Sequence, residues 1–274
     1  MKVKRILGSC LLVMGTIMMV ATLVGCDPKK PVVEVELGEQ DSLWLSTAEV
    51  TMPESMAASQ LTFTINGVLF TMIRVEGGSV ETFYMGETEV TQALWKAVME
   101  KVDFETNPPH FEGVPERDYI GPQRPMCFVN WYACQHFINR LSKATGCTFR
   151  MPTEAEWEFA AKGGKSSKDY KYSGSDDIDE VAWYDGNTGG NGSRDVKTKA
   201  PNELGLYDMS GNVSEWVSDE WDDFIYTDTP VNYRTVRGGS WFDKEEECRV
   251  SSREGEGEEA SFDAVGFRLA LEVQ

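Results

Sequence analysis

From residue 61 onward the spacing of apolar and polar positions changes along the chain, and each change marks an element. Leu61-Thr-Phe-Thr-Ile65 and Val68-Leu-Phe-Thr-Met-Ile-Arg-Val75 are two β-rich runs separated by Asn66-Gly67. Asn-Gly supplies the positive-φ positions of a tight turn, so the pair is predicted to be an antiparallel hairpin. The period then lengthens. Leu94, Ala97 and Val98 share one face of a predicted helix that begins at the capping residue Thr91 and runs to about Met99. Trp131, Cys134, Phe137, Ile138 and Leu141 recur at helical spacing from Asn130 to about Lys143, and Gly146 is placed to end that helix. Thr153-Glu-Ala-Glu156 is a capping box that opens a third helix, stopped at Gly163-Gly164. Beyond Lys165, short strand-like pieces alternate with Gly, Asn, Asp and Pro clusters as far as Val273, with no fixed-period repeat. No long linker interrupts this stretch. Residues 61–274 read as one domain of complex α+β type.

The N-terminal pattern is different. Lys2, Lys4 and Arg5 precede a nearly unbroken apolar run from Ile6 to Val24, the layout of a secretion signal. Its end, Leu23-Val24-Gly25-Cys26, resembles the bacterial lipobox, which implies cleavage after residue 25 and lipidation of Cys26. The apolar run is close to spanning length, so a plain transmembrane anchor is the alternative. Residues 26–60, with Pro28, Pro31 and Pro53 among charged and small residues, read as a tether, with a short strand possible near Val32–Leu37. The expectation is a domain outside the cytoplasm, lipid-anchored to a membrane of a bacterial cell envelope.

Composition narrows the function classes. The chain is 41% hydrophobic with 8 Trp, 13 Phe and 9 Tyr, enough for a sizeable core. Net charge is −19, and it becomes −22 once Lys2, Lys4 and Arg5 leave with the signal. A surface this acidic repels phosphate backbones, which argues against a nucleic-acid partner. With Cys10 removed and Cys26 blocked, four thiols remain: Cys127, Cys134, Cys147 and Cys248. An oxidising compartment permits disulfides among them, and three full pairings are open. In Asp208-Met-Ser-Gly211-Asn-Val213-Ser-Glu215, two carboxylates bracket a Gly-containing turn. Such a segment offers hard oxygen ligands for calcium; equally, both carboxylates could cap backbone amides.

Four ordered motifs carry a family resemblance. They are Arg150-Met-Pro-Thr-Glu-Ala-Glu-Trp-Glu-Phe-Ala-Ala161, Asn202-Glu-Leu-Gly-Leu-Tyr-Asp-Met-Ser-Gly-Asn-Val-Ser-Glu-Trp216, Arg237-Gly-Gly-Ser-Trp241 and Gly266-Phe-Arg-Leu269. Glu89-Val-Thr-Gln92 adds an early "E-V-T". Together they resemble the sulfatase-modifying-factor family, whose founding activity is formylglycine generation on a C-type-lectin-like α+β domain with little regular secondary structure. The resemblance implies calcium on Asp208, Glu215 and the main-chain carbonyls of Gly211 and Val213. It makes Trp131, Trp157, Trp216 and Trp241 core residues, and leads us to expect Arg237 and Arg268 against buried carboxylates. It also implies a copper(I) site between two cysteines at the third and eighth positions after Gly-Gly-Ser. Here those positions are Asp243 and Cys248, and the motif serine is Ser240. Carboxylate is hard and thiolate soft, so Asp243 is a poor exchange for a copper(I) ligand. Cys248 is then either a remnant of the catalytic pair, with Ser240, or a structural or disulfide-bonded cysteine. The expected function is a lipid-anchored, calcium-stabilised, non-catalytic module that binds an envelope peptide, glycan or protein. The alternative is a copper-dependent oxidase that converts a sulfatase cysteine to formylglycine. The only histidines, His110 and His136, are too few for a separate iron triad.

Overall fold

The computed structural model describes residues 38–99, 120–222 and 232–273. Cys26, the signal segment, the strand anticipated near Val32–Leu37 and His110 lie outside the described residues. In chain order the first half carries α1 (Glu39–Thr47), β1 (Val50–Thr51), β2 (Gln60–Ile65), β3 (Val68–Val75), β4 (Phe83–Gly86), α2 (Gln92–Met99), α3 (Trp131–Thr145) and β5 (Phe149–Arg150). The second half carries α4 (Glu154–Ala161), α5 (Ile178–Val181), α6 (Asp185–Thr188), β6 (Ser214–Glu220), β7 (Tyr233–Arg237), β8 (Arg253–Gly257), β9 (Val265–Phe267) and β10 (Ala270–Glu272).

The hairpin forms as its turn residues allow. Asn66 (φ 47°) and Gly67 (φ 79°) take left-handed conformations, and β2 pairs antiparallel with β3 around them. Strand alternation buries Leu61, Phe63 and Ile65 on one face. These strands belong to an antiparallel sheet in the order β1-β2-β3-β4-β10-β5. Trp95 of α2 stacks on Phe137 of α3 with centroids 5.2 Å apart, and both meet the edge of Phe267. Both helices are capped as the sequence predicts: Thr91 Oγ1 accepts from the Leu94 amide, and Asn130 Oδ1 accepts from the Ala133 amide. Gly146, at φ 71°, ends α3.

The second sheet runs β8-β7-β6-β9, with β6 and β9 parallel and the other pairs antiparallel. The capping box of α4 is complete: Thr153 Oγ1 accepts from the Glu156 amide, and Glu156 Oε2 accepts from the Thr153 amide. Trp157 on this helix is fully buried and packs with Val217 of β6, Leu206 and Met209. Trp131, Trp216 and Trp241 are core residues too, and each indole N–H donates to a main-chain carbonyl, those of Val217, Val129 and Asp263. Arg237 pairs with Glu154 at 2.6 Å and Glu158 at 2.9 Å.

Two expectations need correction. The folded part does not start at residue 61; it reaches back at least to Gly38. The segment expected to be tether supplies α1, whose Asp41 accepts from the Gly38 amide and pairs with Arg140 and His136 of α3. The Arg140 guanidinium lies 4.4 Å over the ring of Trp44, which is buried. One large aromatic anchors this helix rather than an apolar stripe, which is why periodicity missed it. The second correction concerns sulfur. Cys127, Cys134, Cys147 and Cys248 are all buried and unpaired, so the disulfide considered for Cys248 does not form.

Candidate functional site

The loop that follows β7 builds the first candidate site. Gly238 (φ 96°) and Gly239 (φ 66°) turn the chain sharply. A Cβ on Gly239 would lie 2.7 Å from the Glu247 carbonyl and 2.9 Å from Cys248 Sγ, so this turn needs glycine. The turn brings Ser240, Asp243 and Cys248 together. Ser240 Oγ donates to Asp243 Oδ2 at 2.6 Å, and Cys248 Sγ sits 3.9 Å from the Ser240 carbonyl. Cys248 and Ser240 are both 0% exposed. The thiol packs in an apolar cluster with Tyr172, Ile178, Val181 and Ala182. Burial, then the charges of Asp243 and Glu247, push this thiol far above its ordinary pKa, so it stays protonated.

These residues do not fit copper(I). A copper(I) site of the family's kind takes two soft thiolates, and here a hard carboxylate stands opposite the one sulfur. Cys127 belongs to a separate cluster with Val213 and Trp241, and Cys134 lies on α3, so neither supplies the missing second sulfur. Asp243 already accepts the Ser240 hydroxyl.

Further carboxylates, outside the sequence motifs, interact with Asp243. Burial, then the negative charges of Asp243 and Glu247, raise the Glu254 carboxyl. Burial, then Glu254 and Asp243, raise that of Glu256. The signal was present as strand alternation: Glu254 and Glu256 are two apart on β8 and so share a face. Gly255 between them lies under the indole of Trp221, where a Cβ would come within 2.4 Å. Phe242, next to Asp243 in sequence, is 58% exposed.

The predicted calcium segment lies deeper. Gly211, at φ 77°, packs against the Trp183 carbonyl where a Cβ would clash at 2.3 Å, and its amide donates to the Gly238 carbonyl. Val213 is buried. Asp208 also takes a left-handed φ of 56°, and its Oδ2 accepts from the Lys197 amide at 2.8 Å. Glu215 does not suit the ligand role the resemblance gave it. Its Oε1 accepts from Arg268 Nε and Nη2, and its Oε2 from Arg268 Nε and Trp157 Nε1, at 2.6–2.9 Å. A carboxylate offers about four acceptor positions, and all are used. A dication placed there would also face the Arg268 guanidinium.

Glu89, noted in the sequence only as part of a motif, is the unexpected member of this region. It is 1% exposed, and neither carboxylate oxygen has a hydrogen-bond partner. Burial, then the Asp208 charge, holds its carboxyl well above the ordinary range. Asp208 is raised to about 6, mainly by burial. Among the described residues, no group of three or more His, Cys, Asp or Glu side chains is arranged to hold a metal. Cation binding here would therefore rest on two carboxylates with main-chain carbonyls and water.

A family model described as "Sulfatase-modifying factor enzyme 1-like domain" matches residues 73–273. The chain is 31% identical over 246 residues to the chaperone protein LppX of Paenibacillus barcinonensis, covering 66% of this chain and 81% of that one. It is 30% identical over 181 residues to a formylglycine-generating enzyme of Thermomonospora curvata. It is 33% identical over 160 residues to the inactive C-alpha-formylglycine-generating enzyme 2 of Bos taurus. These matches cover 55% and 53% of this chain, and 56% and 50% of those relatives' own lengths. Among solved structures, Treponema denticola variable protein 1 matches with a TM-score of 0.63 and 31% identity, over 79% of this chain and 100% of that one. PvdO of Pseudomonas aeruginosa shares the fold, with a TM-score of 0.54 at 24% identity over 82% of this chain and 92% of that one. Ordered motifs, fold and matched length converge, and the chain belongs to the sulfatase-modifying-factor family.

Proposed function

We propose that the protein is a lipid-anchored module of the bacterial cell envelope that binds a peptide, glycan or protein partner without oxidase chemistry. The observation that carries this is the environment of Cys248: one sealed, protonated thiol opposite a carboxylate that is already hydrogen-bonded. Folds are often retained after their chemistry is lost. Relatives named as an inactive formylglycine-generating enzyme and as a chaperone support this use of the scaffold. Membrane attachment rests on Cys26 at the end of the apolar N-terminal run. The acidic face around Phe242, Asp243, Glu254 and Glu256 is the surface offered to the partner. A structural calcium ion is part of this reading.

The copper oxidase is the second reading, favoured by the presence of Ser240 and Cys248 at the motif positions. One assay separates the two. Purified protein is incubated with copper(I), oxygen and a cysteine peptide of sulfatase type, and the products are read by mass spectrometry. The expected result is an unchanged peptide; catalytic conversion of its cysteine to formylglycine would overturn the proposal. The same preparation is alkylated under native conditions, where Cys248 should remain unmodified until denaturant is added.

A further inference from the structure

β8 ends one side of the second sheet: in the order β8-β7-β6-β9 it has a neighbouring strand on one flank alone. Its hydrogen-bonding parity follows from the bonds around β7. The Glu258 amide donates to the Asn232 carbonyl, and on the other side of β7 the Trp221 amide donates to the Tyr233 carbonyl. With Arg234 opposite Glu256 and Val236 opposite Glu254, strand alternation turns the amides and carbonyls of Glu254 and Glu256 toward β7. Those of Gly255, between them, point outward, and among the described residues no group hydrogen-bonds to them. The strand, Arg253-Glu-Gly-Glu-Gly257, contains no proline. On one of its faces Glu254 and Glu256 project, and their charges interact with Asp243. On the other, the indole of Trp221 lies against Gly255, with the Arg253 guanidinium 4.6 Å over its ring. Open sheet edges attract other strands, and proteins guard them with charge. Guarding alone does not account for this edge. A guard works as a solvated charge, whereas Glu256 is half-buried among like charges, an arrangement that costs stability until a cation lies beside it.

We infer that the outer edge of β8 is a docking strand for an extended segment of a protein partner that carries lysine or arginine at alternate positions. The partner's backbone continues the sheet through the Gly255 amide and carbonyl, the strand-addition mode of peptide recognition. Its basic side chains fall on the face of Glu254, Glu256 and Asp243, where opposite charges on neighbouring strands attract. Its intervening side chains fall on the face of Trp221, where apolar residues pack against the indole. The net charge of −19 draws such a segment in.

This inference rests on the partner-binding reading above and adds to it the mode of binding and the partner's chemistry. The test uses full-length protein in detergent and short synthetic peptides free of cysteine. One alternates lysine with valine. A second has the same composition in two blocks, a third alternates glutamate with valine, and a fourth is the first with its backbone N-methylated. Fluorescence anisotropy at low and high salt reads binding, and hydrogen exchange reads protection across residues 253–257. The alternating lysine peptide should bind and slow that exchange, and the other three should bind at least about tenfold more weakly. Glu254→Gln with Glu256→Gln should weaken binding by a similar factor and flatten its salt dependence. Equal binding by the block or N-methylated peptide would show attraction to a charged surface without strand addition and overturn the inference, as would no binding by any of the four. Formylglycine formation in the copper assay would overturn the non-catalytic reading and leave this edge untouched, whereas failure of these peptides overturns the edge and leaves the copper result standing.

Discussion

Arg268 shows how much one side chain can hold. Its guanidinium satisfies both oxygens of Glu215 and the carbonyls of Gly86 and Tyr207 at full burial. A buried pair of this kind adds little net stability over an apolar replacement, but removing one partner strands the other charge. Arg268→Met should therefore cost about 3–5 kcal/mol in urea unfolding, whereas the double change Arg268→Met with Glu215→Leu should recover much of it. The sequence leads to an Arg268 set against some buried carboxylate, but not to Glu215 as that carboxylate, nor to what this means for calcium. A motif says which residues meet; it does not say which acceptor positions are already filled. Cys248 makes the same point. The spacing to Asp243 was legible, and the seal of Tyr172, Ile178, Val181 and Ala182 around the thiol was not.

The elements divide by how they bury themselves. The hairpin of β2 and β3 and the helices α2, α3 and α4 each carry a period, a cap or a turn residue, and all appear where the sequence predicted them. α1 has a local cap, Asp41 on the Gly38 amide, but no apolar stripe. It holds to α3 through Trp44 under Arg140 and through Asp41, a tertiary bargain that no local pattern announces. Trp44→Ala should cost about 3 kcal/mol by removing a large, fully buried side chain of that helix. Urea unfolding measures the loss, and increased proteolysis near residues 39–47 should accompany it. An unchanged midpoint would show that α1 is a passive extension of the tether.

The whole molecule carries a large negative charge, and the face around Asp243 concentrates it. Burial and mutual repulsion hold the Asp243, Glu254 and Glu256 carboxyls above their ordinary values. The folded state then keeps protons that the unfolded chain has released, so stability falls as pH rises from about 4 through the raised carboxyl range. The double substitution Glu254→Gln with Glu256→Gln should be more stable than wild type by a margin that grows with pH over that range and shrinks in high salt. Denaturant midpoints at several pH values test this; a constant margin would mean that the carboxylates are solvated and independent. The sequence by itself determined the family, the α+β class, the hairpin, three helices and the break in the copper pair, because turn chemistry, caps, periodicity and ligand softness are written in consecutive residues. Only the tertiary structure decided that Cys248 is sealed, that Glu215 is spent on Arg268 and that Glu89 is stranded beside Asp208. Desolvation and hydrogen-bond occupancy depend on which distant segments pack together, and that is set by the assembled core.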